Sequence, residues 1–332
     1  MKKYIICIIF TISLIVSFYG TVYAEITTYY NQYIPNEVKT EVNKINENII
    51  KSLQQNNLNT LYDTCILDQS IDKNSFFKYY NYLPTLMNGL DLEKYDEFYV
   101  VTTNENNLEV LAKNKSRNYY LNYEGFSKET YIIMYKSLNS DGIVFMISFL
   151  YAKMDNSWKL QHFCSELKAL GGKSTPDWLT EGKNLYDKGY NMSAFLRLNM
   201  AVQLATPTPY FHYMEEKEIE SLSQELAEKI MSKISFPLEL PNIKSQPTIY
   251  YIRPTIDGEI NDLIPVIKYV TNIPLSYKEN IVFEAQEITR ELLIIFPEFE
   301  KVEKGIKCIA FSEPPFDEEK SYDNYSIVIY LQ

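Results

Sequence analysis

The sequence predicts an α+β multidomain protein: a curved antiparallel sheet with N-terminal helices, then a helical hairpin segment, then a small β-β-α-β-β domain. Three observations predict it. Apolar residues recur at helical spacing from Val38 to Leu53. Short runs rich in Val, Ile, Tyr and Thr take over from Glu97 to Leu167, which is the composition of strands. Helical periodicity then returns between Trp178 and Ile234, before a last set of strand-like runs around one further helix.

The first 24 residues stand apart from this plan. Lys2 and Lys3 precede an apolar run from Tyr4 to Tyr19, Gly20 and Thr21 break it, and Val22-Tyr23-Ala24 places small residues where a signal peptidase reads. This predicts a signal peptide, residues 1–24, cleaved after Ala24. The alternative is an uncleaved N-terminal helix that anchors the chain, since the run approaches the length of a membrane span. Removing 24 of 332 residues leaves 308, and losing Lys2 and Lys3 takes the formal charge from −11 to −13. A chain this acidic repels polyanions, so nucleic acid is not an expected partner, and membrane contact is expected only through the N-terminal segment. The hydrophobic content of 46% is ample for packed cores. Cys65, Cys164 and Cys308 remain after Ala24, an odd and sparse set that predicts free, buried thiols, although a Cys65–Cys164 bridge stays open.

Val38, Val42, Ile45, Ile49 and Leu53 form one apolar stripe on a helix that the polar run Gln54–Asn57 ends. A second short helix is predicted over Leu58–Leu67 and a third between Asn74 and Met87, bent or ended by Pro84. EFYVVTT, NLEVLAKN, RNYYLNYEG and TYIIMYKSL then read as strands. GIVFMISFLYAKM is almost wholly apolar, as a strand covered on both faces would be, and Asp155-Asn156 turns it into SWKLQHFCSEL.

Helices followed by a curved sheet that closes on DNSWKLQHF resemble the nuclear-transport-factor-like (cystatin-like α+β) superfamily, over Asn36 to Leu167. The resemblance implies a cone, residues 36–170, with helices against the concave face of the sheet. Such cones host isomerases, dehydratases, transport adaptors and non-catalytic domains of exported proteins, so the fold selects no function.

Trp178, Gly182, Gly189, Ala194 and Ala201 stand at the offsets of a tetratricopeptide repeat, and residues 176–236 resemble one such helical hairpin. Glu181, Leu185 and Pro207 depart from the pattern. A single repeat cannot bury its own apolar face and must lean on a neighbour, for which the helix carrying Ile219, Leu222, Leu226, Ile230 and Ile234 is the candidate. Pro237 to Pro247 reads as a linker into the last domain, residues 246–332. There TIYYIRP, LIPVIKYV, IKCIAFS and YSIVIYL read as strands, and a helix opens on a Ser276–Glu279 capping box.

The motifs with apparent chemistry are few. GGKST at Gly171–Thr175 lacks the upstream glycine of a phosphate loop, since that position is Leu167, and follows an antiparallel strand; it reads as a flexible linker. Asp257, Glu259 and Asp262 lack calcium-loop spacing and read as a solvated turn. Ser312–Asn324 reads as an exposed acidic connection. His162 and Cys164 are two apart on a strand, which places them on one face with Trp158 and Leu160. With no second ligand pair nearby, no metal and no cofactor are expected. Trp158 and His162 are therefore candidate cavity-lining residues, with Tyr62 and Asp63 facing the same cavity and Asp63 as a partner for the imidazole.

No catalytic set is complete. The expected function is that of an exported cell-envelope protein, a non-enzymatic binding or interaction module whose partner is a protein or a small ligand. The alternative is a small-molecule enzyme of isomerase, dehydratase or hydrolase type, using the cone cavity with His162 as acid/base.

Overall fold

A computed structural model describes residues 26–65, 72–103, 108–114, 117–125, 127–137, 142–316 and 320–331. The expected signal peptide lies outside these residues. The chain is α+β, with a curled antiparallel sheet at its centre.

That sheet runs in the order β1 (Ile26–Tyr30), β2 (Leu92–Thr102), β5 (Glu129–Ser137), β6 (Val144–Met154), β7 (Ser157–Leu170) and β8 (Lys173–Ser174), and every pairing is antiparallel. Irregularities in register at Lys94/Asp96, Val144/Phe145 and Leu150/Tyr151 accompany its curl, as bulges increase local twist. Residues 26–30 form the edge strand β1. Tyr30 and Asn31 both donate to buried Asp96, each over 2.9 Å, and hold that edge in place.

Four helices cover one face: α1 (Asn36–Gln54), α2 (Asn59–Thr64), α3 (Lys73–Tyr80) and α4 (Leu83–Met87). The predicted α1 stripe buries Val42, Ile49 and Leu53, and the same face carries Asn46. Asn46 donates to the Tyr135 hydroxyl (2.9 Å) and accepts from the Tyr151 hydroxyl (2.7 Å), so this buried amide is satisfied from two strands. The helix expected over 74–87 is two helices. Pro84 sits in the first turn of α4, where its missing N–H costs nothing. Asp72 caps α3 by accepting from the N–H groups of Asn74 and Ser75.

The opposite face of the sheet is covered by a second sheet of β3 (Leu108–Asn114), β4 (Tyr119–Gly125) and β9 (Phe211–Tyr213). The sequence placed the β3–β4 hairpin in the main sheet. Burial explains the difference: β4 buries Tyr119, Leu121 and Tyr123 in alternation, the pattern of a strand with one covered face, whereas Met146 to Ala152 of β6 are buried without a break.

The helical segment consists of α5 (Thr175–Asp187), α6 (Asn191–Gln203) and α7 (Glu216–Met231). Gly182 meets Leu198 so closely that an added Cβ would stand 3.0 Å from it, which is why a small residue is needed there. Beyond α7, the sheet order is β10 (Leu238–Glu239), β11 (Thr248–Asp257), β12 (Asp262–Val270), β13 (Gly305–Phe311) and β14 (Asn324–Tyr330). Only β12–β13 is parallel, crossed over by α8 (Lys278–Ile295) and α9 (Phe299–Val302). One contiguous apolar core runs from Trp178 and Leu198 through Ile230 to Ile267 and Leu292.

Two expectations fail in this half. Pro237–Pro247 is no mere linker, because β10 pairs with β11 and Leu240 and Ile243 are buried in the shared core. The Ser276–Glu279 capping box does not form, since α8 begins at Lys278 with no side-chain cap. A capping box forms instead at Ser174 and Asp177, inside the stretch read as a flexible linker. Gly171 and Gly172, both at positive φ, turn β7 into β8, and Pro176 falls in the first turn of α5, which tolerates it.

Candidate functional site

The site lies on β7, whose direction changes at Gln161. Opposite it on β6, Tyr151 pairs with Leu160 and Leu150 with His162, so Gln161 is an extra residue in the strand. Before the bulge, Trp158 and Leu160 point into the helix-covered core; beyond it, Phe163 does so and meets Phe149 at 5.0 Å. His162 is thereby turned to the other face, with its ring edge-on to Tyr210 at 5.7 Å. The period of two that placed Trp158, Leu160, His162 and Cys164 on one face holds only without a bulge, and its sequence carries no glycine to announce one.

Trp158 is 3% exposed and packs edge-on against Tyr99 and Tyr131, so it fills the core and lines no cavity. Tyr62 packs on Phe76 and Phe77 with the Lys73 ammonium over its ring, away from the imidazole. Asp63 is exposed on α2, two residues from both Leu61 and Cys65, and does not meet His162. Of the four predicted residues, only His162 lines the cavity beside β7.

That cavity, of about 450 Å³, opens between α2, α3 and the outer edge of β7. Leu61, Cys65 and Phe76 face Leu160, His162 and Phe163 across it. A single parallel bridge joins Cys65 to Leu160 and closes one end. At the other end, β8 pairs only with Ala169 and Leu170. Between them, no described strand pairs with the outer edge of β7. Tyr79 also lines the cavity and is 72% exposed, and Tyr82 nearby on the same helical arm is 52% exposed.

The chemistry of the lining is apolar. Among the described residues no carboxylate borders the cavity. Loss of hydration holds the His162 pKa below its ordinary value although one side of the ring is open to solvent, which favours the neutral imidazole. Burial pushes the Cys65 thiol up to about 12, so it is no thiolate at neutral pH. Phe76, Tyr79 and Tyr80 were the residues missed. Their signal was the SFFKYYNY run, whose aromatics at spacings of three and four form one helix face.

The remaining motifs are accounted for structurally. Lys173 pairs with Glu181 and lies over the Trp178 ring at 4.4 Å, so GGKST cradles no phosphate. Asp257 accepts from the N–H groups of Glu259 and Ile260 and closes the β11–β12 turn. His212 meets Glu216 at 3.0 Å and stacks on Tyr120. Among the described residues no group of His, Cys, Asp and Glu could hold a metal ion. No helix among them is long and apolar enough to cross a membrane. No protein-family model matches the chain, and no curated protein matches it.

Proposed function

We propose that the chain is an exported, non-enzymatic binding protein of the cell envelope that captures an extended apolar segment of a partner along the outer edge of β7. The observation that carries this reading is the conjunction of a strand edge that no described strand pairs with along most of its length and an apolar cavity beside it. A free edge offers backbone donors and acceptors at strand spacing, and a pocket beside it selects the alternate side chains of an added strand. The exposed rings of Tyr79 and Tyr82 supply the aromatic rim common at binding hot spots. Acid/base chemistry by His162 is the weaker reading, because no carboxylate among the described residues orients the imidazole.

The nuclear-transport-factor-like cone over 36–170 and the tetratricopeptide-like hairpin over 176–236 are part of this proposal. Helices against one face of a curled sheet support the first, and the Gly182–Leu198 approach supports the second. Export rests on the composition of residues 1–24.

The test is an array of 12-residue peptides, with the strongest binder re-measured in solution against the full chain after Ala24. We expect Phe76→Ala and N-methylation of alternate peptide amides each to weaken it at least tenfold. Binding that survives N-methylation of either register, or an array with no binder, overturns the reading.

A further inference from the structure

The five-stranded sheet has two unlike edges. β10, at one end, is two residues long, carries Glu239 and is bracketed by Pro237 and Pro241. Short length, charge and proline are devices that keep a sheet edge from pairing with another chain. β14, at the other end, has none of them. Its seven residues, Asn324 to Tyr330, carry no charge and no proline, and it runs beside β13 without a bulge. Tyr, Ile and Val fill most of it, residue types that favour strands.

The register fixes which groups of β14 face outward. Leu331 donates its N–H to Lys304 over 2.9 Å, so the backbone groups of Tyr325, Ile327 and Ile329 turn toward β13 as well. Those of Asn324, Ser326, Val328 and Tyr330 point the other way, where no described strand pairs with them. Burial follows the same division. Ile306, Cys308 and Ala310 of β13 are 0% exposed, whereas Ile329, Ile327 and Tyr325, opposite them in the same rows, are only partly covered. The apolar core thus ends at β14 with surface still open to water, although α8 packs along this strand.

A second copy of the same strand fits this edge. In an antiparallel pair with Ile327 opposite its own copy, Ser326 faces Val328 and Asn324 faces Tyr330 of the other chain. Those are the four residues with outward backbone groups, so in this one register each outward N–H and C=O meets a complement. On the core face Ile327 meets Ile327 and Tyr325 meets Ile329, cross-strand pairs of the kind that stabilise sheets. Charge agrees with this arrangement. Along the strand no like charges are opposed. Lys278 lies over the Tyr325 ring at one end, and Glu259 accepts from the Tyr330 hydroxyl at the other. A twofold axis sets the Lys278 end of each copy beside the Glu259 end of its mate. Two chains this acidic repel one another in general, and an uncharged strip is where they approach with least repulsion.

We propose that β14 pairs antiparallel with β14 of a second copy about a twofold axis at Ile327, joining the two five-stranded sheets into one continuous sheet. This interface is separate from the β7 edge and does not depend on it. Sedimentation of the full chain after Ala24 over a concentration series tests it. We expect a monomer–dimer equilibrium that raised salt strengthens, because salt screens the repulsion between acidic surfaces. Ser326→Pro removes an N–H that points away from β13, so the fold should keep its unfolding midpoint while the dimer dissociates at least tenfold more readily. Ser326→Thr should leave the dimer intact. A mixture of Ser326→Cys and Val328→Cys chains should form disulfide-linked mixed dimers faster than either variant alone, because only the mixture sets two cysteines opposite each other. A chain that stays monomeric throughout the series, a dimer that Ser326→Pro leaves unchanged, or mixed cross-linking no faster than that of the separate variants overturns the proposal.

Discussion

Ser193 donates its hydroxyl to Glu303 over 2.7 Å, and Arg197, one turn further along α6, reaches the same carboxylate oxygen. Both side chains of the ion pair are almost wholly buried, at 3% exposure for Arg197 and 4% for Glu303. Arg197 is also held by Glu181 of α5 at 3.1 Å. Since Glu303 follows α9, this cluster fastens the helical hairpin to the last sheet, at the border of the core they share.

A buried pair resists the loss of either partner more than it stabilises relative to apolar replacement, because the survivor is left charged in a poorly hydrated place. Glu303→Ala should therefore cost about 3–5 kcal/mol, read as the midpoint of urea unfolding. The hairpin and the last sheet should still unfold in a single transition in the wild type. Two separated transitions in the wild type would show that the shared core does not couple them.

Asn46 is the polar counterpart on the other side of the molecule. Asn46→Ala leaves the hydroxyls of Tyr135 and Tyr151 without their amide partner in a buried setting. At about 1–3 kcal/mol for each of the two unsatisfied groups, the variant should lose on the order of 2–6 kcal/mol. The double change Tyr135→Phe and Tyr151→Phe in the Asn46→Ala background should recover much of that loss, measured by thermal unfolding.

Lys168 provides a pH signature. Loss of hydration, with the charges of Arg117 and Lys136 added, lowers its pKa to about 8, although its ammonium lies near the rings of Tyr95 and Tyr213. A lysine depressed in the folded state holds fewer protons there than in the unfolded chain. Stability therefore rises with pH between about 8 and the ordinary lysine value near 10.4. Lys168→Met should be more stable than wild type at pH 7, by on the order of 1–3 kcal/mol, with the gap closing toward pH 10. A gap that is constant with pH would rule out titration of this lysine as the cause.

Glu97 in its charged form stabilises the fold, where charged Lys168 destabilises it. Burial alone would raise its pKa, but Lys39 at 2.7 Å and Lys94 at 2.6 Å more than offset this and hold it below the usual glutamate value. Its contribution is present above the usual value and disappears as pH falls through the depressed one. Glu97→Gln should accordingly lower the unfolding temperature at pH 7 and converge on the wild type in acid.

How far these features could be read in advance depended on whether the signal was local. The α1 stripe, the apolar β6 and the turn at Asp155-Asn156 each carry their own periodicity, and each formed where it was expected. The two-sheet arrangement was hidden, because β4 pairs with Phe211–Tyr213, some ninety residues later, and nothing in RNYYLNYEG names that partner. The bulge at Gln161 was hidden for a related reason: it is imposed by pairing with β6, and it moved Trp158 and His162 to opposite faces. Helix starts were misjudged at Ser276, where the motif is present but the helix begins later, and at Ser174, where Asp177 completes the box.

The same bulge settles the cysteines. Cys65 packs against the helix-covered core, whereas Cys164 alternates with Phe163 and lies on the face of β7 turned away from it. The two sulfurs therefore sit on opposite sides of a strand, and all three described thiols are free. Burial pushes Cys65, Cys164 and Cys308 each up to about 12, so thiolate is scarce at neutral pH. A chain beginning at Glu25 should show, without reductant, the mass of the fully reduced protein. Its thiols should react slowly with an aromatic disulfide reagent in the native state, and all three should react at once in denaturant. A native mass two hydrogens lower, with only one thiol released on denaturation, would place Cys65 and Cys164 in a bridge that this strand geometry forbids.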